Sequence, residues 1–195
     1  MPRSSKTEFA ILGLLSFEPL SGYDIKIQVE QALAHFWSES IGNIYPALSR
    51  LQQRGLVSKT REPGESRPDR FVYAISRTGR ERFQAWMRSE ISSSKPRNEV
   101  LLRTYFGRFL PPDVLAGLLV NYREDLTAAF NQLITVRSLV AEERKSDPHR
   151  VFYDLTLDFG IRVYETLIEW CNDSEAALGN SAAGMTKKSK RRTRS

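Results

Sequence analysis

Hydrophobic positions in the first ninety residues recur at helical spacing, switch to strict alternation, then return to helical spacing. Phe9, Ile11, Leu12, Leu14 and Leu15 predict a first helix, with Thr7 as its cap. A turn follows at "EPLSGYDI", where Ser21 and Asp24 stand three apart as a capping box opening a second helix. Ile25, Val29, Leu33 and Phe36 continue that helix on one face. In "SIGNIYPALSRLQQRGLV", residues 40–57, Ile44, Leu48 and Leu51 fall at i, i+4 and i+7 and predict a third helix. Pro46 is compatible with it if the helix is capped near Gly42, because the first four amides of a helix have no intrahelical partner. Gly55 supplies a left-handed stop, and Leu56-Val57 begins a strand.

Alternation then takes over. "VSKTRE" and "RFVYAI" read as two strands, with Phe71, Tyr73 and Ile75 on one face and the turn-forming "PGESRPD" between them. Ser76 caps a fourth helix carrying Phe83, Trp86 and Met87. Three helices, a hairpin and a further helix predict a winged helix, a variant of helix-turn-helix. In that fold the third helix enters the major groove and the hairpin touches the backbone or minor groove.

The polar side of the third helix gives this placement a chemistry. Asn43, Pro46, Ser49, Arg50 and Gln53 lie opposite its apolar stripe. Arginine suits guanine, asparagine or glutamine suits adenine, and hydroxyls suit phosphate. A solvated helix face would look the same. What separates the two readings is charge, because residues 49–88 hold ten basic and four acidic side chains. The candidate DNA contacts are Tyr23 on the second helix, then Ser40, Asn43, Tyr45, Ser49, Arg50 and Gln53 on and before the third. Lys59, Arg61, Arg67 and Arg70 complete the set in the hairpin.

"SSSKPR", residues 92–97, interrupts the helical patterns and divides the chain. The organisation expected is a winged-helix domain over 1–91, a linker over 92–97, a helical domain over 98–179 and a disordered basic tail over 180–195. The fold class is mainly α with a small β-hairpin, the second domain being antiparallel or coiled-coil-like. Leu115, Leu119, Tyr122, Leu126, Ala129, Leu133, Val136 and Val140 follow a 4-3-4-3 spacing, which is a heptad seam. Either a second chain or a helix of the same chain can fill it. The last helix has two apolar lines, Phe152, Leu155, Phe159, Val163, Leu167 and Trp170 on one and Leu157, Ile161, Tyr164, Ile168 and Cys171 on the other. A helix apolar on two sides needs two partners, which favours a homodimer. The dimerisation candidates are Leu115, Leu119, Tyr122, Leu126, Leu133, Phe159, Val163, Leu167 and Trp170.

The charge balance differs by region. The net charge is +6, yet residues 96–179 carry nine basic against thirteen acidic groups, so the second domain is a poor polyanion surface. "TKKSKRRTRS" is basic and would hold DNA without sequence choice. The single cysteine, Cys171, excludes an internal disulfide and favours the cytoplasm. No apolar run reaches the roughly 20 residues of a membrane span, and the first apolar stretch is too short and too acidic for a signal peptide. His35 and His149 stand far apart with one cysteine, so no metal, cofactor or catalytic-triad spacing is present and no enzyme is expected.

"IYPALSRLQQRGLV" followed by "RFVYAISRTGRERF" resembles the signature of the PadR family of bacterial transcriptional regulators. The matching positions are Tyr45-Pro46, Arg50-Leu51, Gly55-Leu56, Tyr73, and Ser76 with Gly79, together with "SGYDI" at 21–25. The resemblance covers about residues 7–90, and the second domain is similar to the long helical domain of the family's larger subgroup. It implies a homodimeric repressor on a pseudo-palindromic double-stranded operator, in some members relieved by a small effector such as a phenolic acid or cationic drug. Trp86, Tyr105 and Phe106 flank the interdomain break, with Arg103 one turn away. They are candidate effector contacts, or else the packing of a hinge. The alternative class is a protein-interaction module or an architectural protein that coats DNA.

Overall fold

The computed structural model describes residues 5–33, 35–37, 41–63, 70–91 and 98–192, from 181 onward by backbone alone. The chain divides into two compact units, Met1–Ser93 and Ser94–Ser195. Among the described residues no helix is long and apolar enough to cross a membrane.

The first unit is a winged helix. Helix α1 (Lys6–Leu14) is capped by Ser5, whose hydroxyl accepts from the Glu8 amide, and not by Thr7. Strand β1 (Leu20–Ser21) has no sequence expectation behind it, since two residues cannot establish alternation. Helix α2 (Gly22–Gln28) opens with the capping box: the Asp24 amide donates to Ser21 Oγ, and the Ser21 amide donates to Asp24 Oδ2. It ends sooner than its periodicity predicts, passing into a π turn over Val29–Leu33. That turn keeps Ile25 and Val29 in the core but carries Phe36 out to the surface.

Helix α3 (Ile41–Gln53) buries Ile44, Ala47, Leu48 and Leu51 against α1 and α2. Pro46 is the sixth described residue of this helix, beyond the free first turn expected for it. The helix tolerates a ring that cannot donate because its apolar stripe is held on both sides by packing. Gly55 closes α3 with φ 66°, the left-handed stop that its position requires.

Strands β2 (Val57–Glu62) and β3 (Arg70–Ile75) form the wing, and β1 pairs with the far edge of β3, giving the order β1-β3-β2. The register sets Leu20 and Lys59 on either side of Tyr73, and Ser21 and Thr60 on either side of Val72. The expected single apolar face of β3 holds only at its root. Tyr73 is buried and Ile75 half-buried, whereas Phe71 lies outward, because the core ends where the wing projects past it. Helix α4 (Arg77–Met87) is capped by Ser76.

The second unit begins with α5 (Glu99–Tyr105) and a single 3-10 turn at Gly107–Phe109. Helices α6 (Pro112–Glu143) and α7 (Arg150–Arg192) then pack antiparallel. Leu133 joins the cluster of Leu157 and Ile161, and Arg123 pairs with Glu175 at 2.9 Å. From Leu133 to Val140 the 4-3-4-3 seam of α6 packs on the chain's own α7, the second of the two partners that the spacing allows. Leu115, Leu119, Leu126 and Leu133 are buried within one chain and Tyr122 is half-buried. Heptad spacing specifies a partner helix but not whose helix it is. The helical backbone of α7 runs on to Arg192. Elongating an existing helix avoids the nucleation cost, and Lys and Arg are good helix formers that complement a C-terminal dipole.

Candidate DNA-binding interface

Helix α3 presents the candidate interface, since its other side is occupied by the core. With Ile44, Leu48 and Leu51 inward, Asn43, Ser49 and Gln53 are exposed on the opposite face. Gln53 Nε2 lies 3.5 Å from Ser49 Oγ one turn back, a loose pairing that a base edge can replace. Tyr45 is exposed but anchored. A Cβ on Gly22 would come within 2.6 Å of its ring, so a glycine is what lets the Tyr45 ring lie on the start of α2. Tyr23, next along α2, is exposed with Lys26 Nζ 5.7 Å from its ring centre. Ser40 and Arg67 lie outside the described residues.

Arg50 departs from expectation. The sequence pattern puts it on the open face, yet its Nε donates to Glu8 Oε1 at 2.8 Å. Arg54 donates to the other oxygen of the same carboxylate, also at 2.8 Å. Glu8 is only 2% exposed, while the Arg50 side chain stays 50% exposed. Nothing local announces this pairing, because Glu8 reads as one acidic residue in an apolar helix forty-two positions away.

The wing carries Lys59 and Arg61 on β2, both exposed. Lys59 Nζ sits 3.9 Å above the Phe71 ring and 5.7 Å from that of Tyr73, so an aromatic platform steadies its ammonium group. Arg70 is tied across the strands to Glu62 at 2.8 Å, and that hydrogen bond raises its already high pKa further. Arg70 thus meets an acid at the wing's exit while its side chain stays 62% exposed.

The four effector candidates belong to two units. Trp86 stacks on Phe9, ring centres 4.7 Å apart and 7° from parallel, and leans on Phe83. With Phe9, Phe17, Phe36, Trp37 and Phe83 it walls an apolar cavity of about 430 Å³ whose lining includes Lys6. Arg103, in α5, donates to Glu99 one turn earlier at 2.9 Å. Tyr105 and Phe106 are exposed and meet edge to face. The sequence expectation leaves Arg103 free for a ligand carboxylate; its own helix already supplies one.

Of the second unit's dimerisation candidates on α7, Phe159 and Val163 are exposed, with Leu167 and Trp170 half-buried. Phe152 and Leu155 continue the exposed line. The opposite line, Leu157, Ile161 and Cys171, faces inward, and burial pushes the Cys171 thiol pKa up.

Residues 11–85 match the transcriptional regulator PadR-like family, and residues 96–179 match the virulence activator alpha C-terminal family. A PadR-like transcriptional regulator from Bacillus cereus superimposes with a TM-score of 0.74 at 30% identity, over 90% of this chain and 99% of that one. The chain belongs to the PadR-like family of transcriptional regulators. It is also similar to a probable transcriptional regulator of Mycobacterium tuberculosis, 28% identical over 87% of this chain and 95% of that protein. The negative transcriptional regulator PadR of Bacillus subtilis is 30% identical over 51% of this chain and 55% of its own length. That PadR has been solved in complex with operator DNA, where the likeness is one of fold (TM-score 0.75, 24% identity, 88% and 98% coverage). It has also been solved with p-coumaric acid (TM-score 0.68, 25% identity, 88% and 98% coverage). The two family matches fall one in each compact unit of the chain.

Proposed function

We propose that this chain is a homodimeric transcriptional repressor that reads a pseudo-palindromic operator with α3 and is released by a small aromatic ligand. The observation that carries the reading is the exposed row of Asn43, Ser49 and Gln53 on a helix whose other side is locked into the core, beside a basic wing. A helix of that kind fits a major groove, and Lys59 and Arg61 fit the flanking backbone. The Bacillus subtilis complexes with operator DNA and p-coumaric acid support both halves of the proposal. The exposed α7 line from Phe152 to Val163 is the face for the second copy, and such a regulator works in the bacterial cytoplasm. It transfers no chemical group; its activity is binding.

Selection of bound duplexes from random DNA, followed by footprinting, tests this. A regulator of this kind enriches an inverted repeat with half-sites about one helical turn apart, roughly 34 Å, and protects only that. Uniform protection of all duplexes would instead identify a DNA-coating protein. On the selected site, Asn43→Ala or Gln53→Ala should lower affinity by about 1–3 kcal/mol and relax one base position. Lys59→Ala and Arg61→Ala should weaken every sequence alike and flatten the salt dependence by about 0.9 log units for each phosphate no longer neutralised.

A further inference from the structure

Glu8 is an acid on an otherwise apolar helix, buried to 2% exposure, beneath a surface that meets a polyanion in the reading above. Its two oxygens are divided between two cations of α3, Arg50 through Nε and Arg54 through Nη1, each at 2.8 Å. Arg50 and Arg54 are one turn apart and therefore share a side of the helix. A buried carboxylate is costly unless paired, so the pairing explains how Glu8 is tolerated but not why an acid stands there at all. An apolar residue would pack α1 against α3 without that cost, and would leave the Arg50 guanidinium without the carboxylate that holds its Nε.

We propose that Glu8 is a specificity-determining positioning residue of the DNA interface. It fixes the plane of the Arg50 guanidinium by its inner nitrogen, and it cancels one of two charges at the end of the recognition helix. Loose arginines pair with any phosphate; held ones meet only the duplex whose base edges suit their fixed geometry. Glu8 thus lowers attraction to arbitrary DNA while preserving recognition of the operator. This inference rests on the assignment of α3 to the groove.

The test compares the full-length wild type with Glu8→Gln on the selected operator and on a random duplex of equal length, across a salt series. Glu8→Gln should bind the random duplex more tightly, with a salt slope steeper by about 0.9 for each additional phosphate neutralised. The ratio of operator to random affinity should fall by about fivefold to a hundredfold, the range that one bidentate base pairing supplies. Arg54→Gln in the Glu8→Gln background should return the slope towards that of the wild type. A folded Glu8→Gln chain with unchanged slope and ratio overturns the proposal. If Glu8→Gln does not fold, the wild type decides: the Arg50 Nε–H resonance should stay protected from solvent exchange when operator is added, and its disappearance on binding overturns the proposal. Should Asn43→Ala and Lys59→Ala also leave DNA binding untouched, the interface assignment itself fails and takes this inference with it.

Discussion

The Ser76 hydroxyl donates to the Gly55 carbonyl at 2.7 Å, joining the end of α3 to the start of α4. The same oxygen accepts the Gly79 amide at 3.0 Å, and the Ser76 amide donates to the Leu56 carbonyl. Thr78 Oγ1 also donates to Gly55 at 3.0 Å. Both ends of the hairpin are therefore bolted to one turn of backbone. The wing leaves α3 at an angle fixed by hydrogen bonds rather than by side-chain packing alone.

Gly79 is the tightest point of that junction. A Cβ there would stand 2.0 Å from the Leu56 carbonyl oxygen, a backbone atom that cannot move aside without shifting β2. Ser76→Ala should cost about 0.5–2 kcal/mol, the usual loss of an N-cap. Gly79→Ala should cost more than Ser76→Ala, because overpacking at backbone adds about 1–3 kcal/mol and displaces the wing. Urea denaturation of the two variants ranks them. The opposite ranking would mean that the junction yields more easily than its close packing implies.

What the sequence disclosed and what it hid divide along the range of the interaction. The capping box of Ser21 and Asp24, the left-handed Gly55, the Ser76 cap and the α3 stripe each depend on residues within a few positions, and each is found as expected. The winged-helix order follows from them. β1 exists only because β3 offers an edge, and Phe36 is turned outward by a π turn that periodicity does not signal. Arg50 carries the one contact at the site that its own helix does not announce. Its helical position is right, but its partner lies on another helix, and no pattern on α3 encodes it. The α6 seam leaves its partner open for a related reason, since spacing fixes the shape of a partner and not its chain of origin.

Asp24 makes the stability of the first unit depend on pH. Its carboxylate accepts from the Ser21 hydroxyl at 2.7 Å and from the Ser21 amide at 3.0 Å, and these bonds hold its pKa below the ordinary value against a smaller opposing effect of burial. A depressed folded pKa gives stabilisation that is complete above the unfolded carboxylate range, near 4, and lost as pH falls through the folded value. The wild type should therefore melt above Asp24→Asn at neutral pH, with the gap closing below about pH 4. Thermal melts of both proteins between pH 7 and pH 3 measure it. A gap that persists undiminished in acid would show that the cap does not act through the carboxylate charge.

The cavity beside Trp86 makes a separate prediction about release. Its aromatic walls suit a flat ring, and Lys6 in its lining suits an acidic group, whereas Arg103 is already held by Glu99. An aromatic acid such as p-coumarate should quench fluorescence in the wild type and lower operator affinity. Trp86→Leu should reduce the quenching and the release together, and Lys6→Ala should weaken the ligand. Arg103→Ala should leave release intact. Because a ligand shifts an equilibrium only by its differential affinity, quenching with no change in operator binding would locate a pocket but abolish the switch.

The two apolar lines of α7 separate folding from assembly. Leu133 of α6 is 7% exposed against the inward line, so Leu133→Ala should destabilise the hairpin by about 2–5 kcal/mol while the folded protein remains dimeric. Phe159 on the outward line is 58% exposed and touches little of its own chain, so Phe159→Glu should leave the hairpin's melting nearly unchanged. In a dimer the same carboxylate would be buried against an apolar partner, which is costly without a matching cation. Sedimentation velocity should then find a folded monomer. An operator of two half-sites binds a dimer as one unit, so this monomer should still recognise a half-site without the affinity that comes from engaging both. A Phe159→Glu protein that sediments as a dimer would move the interface off this line of α7, and one that unfolds would mean the exposed face serves the chain's own fold.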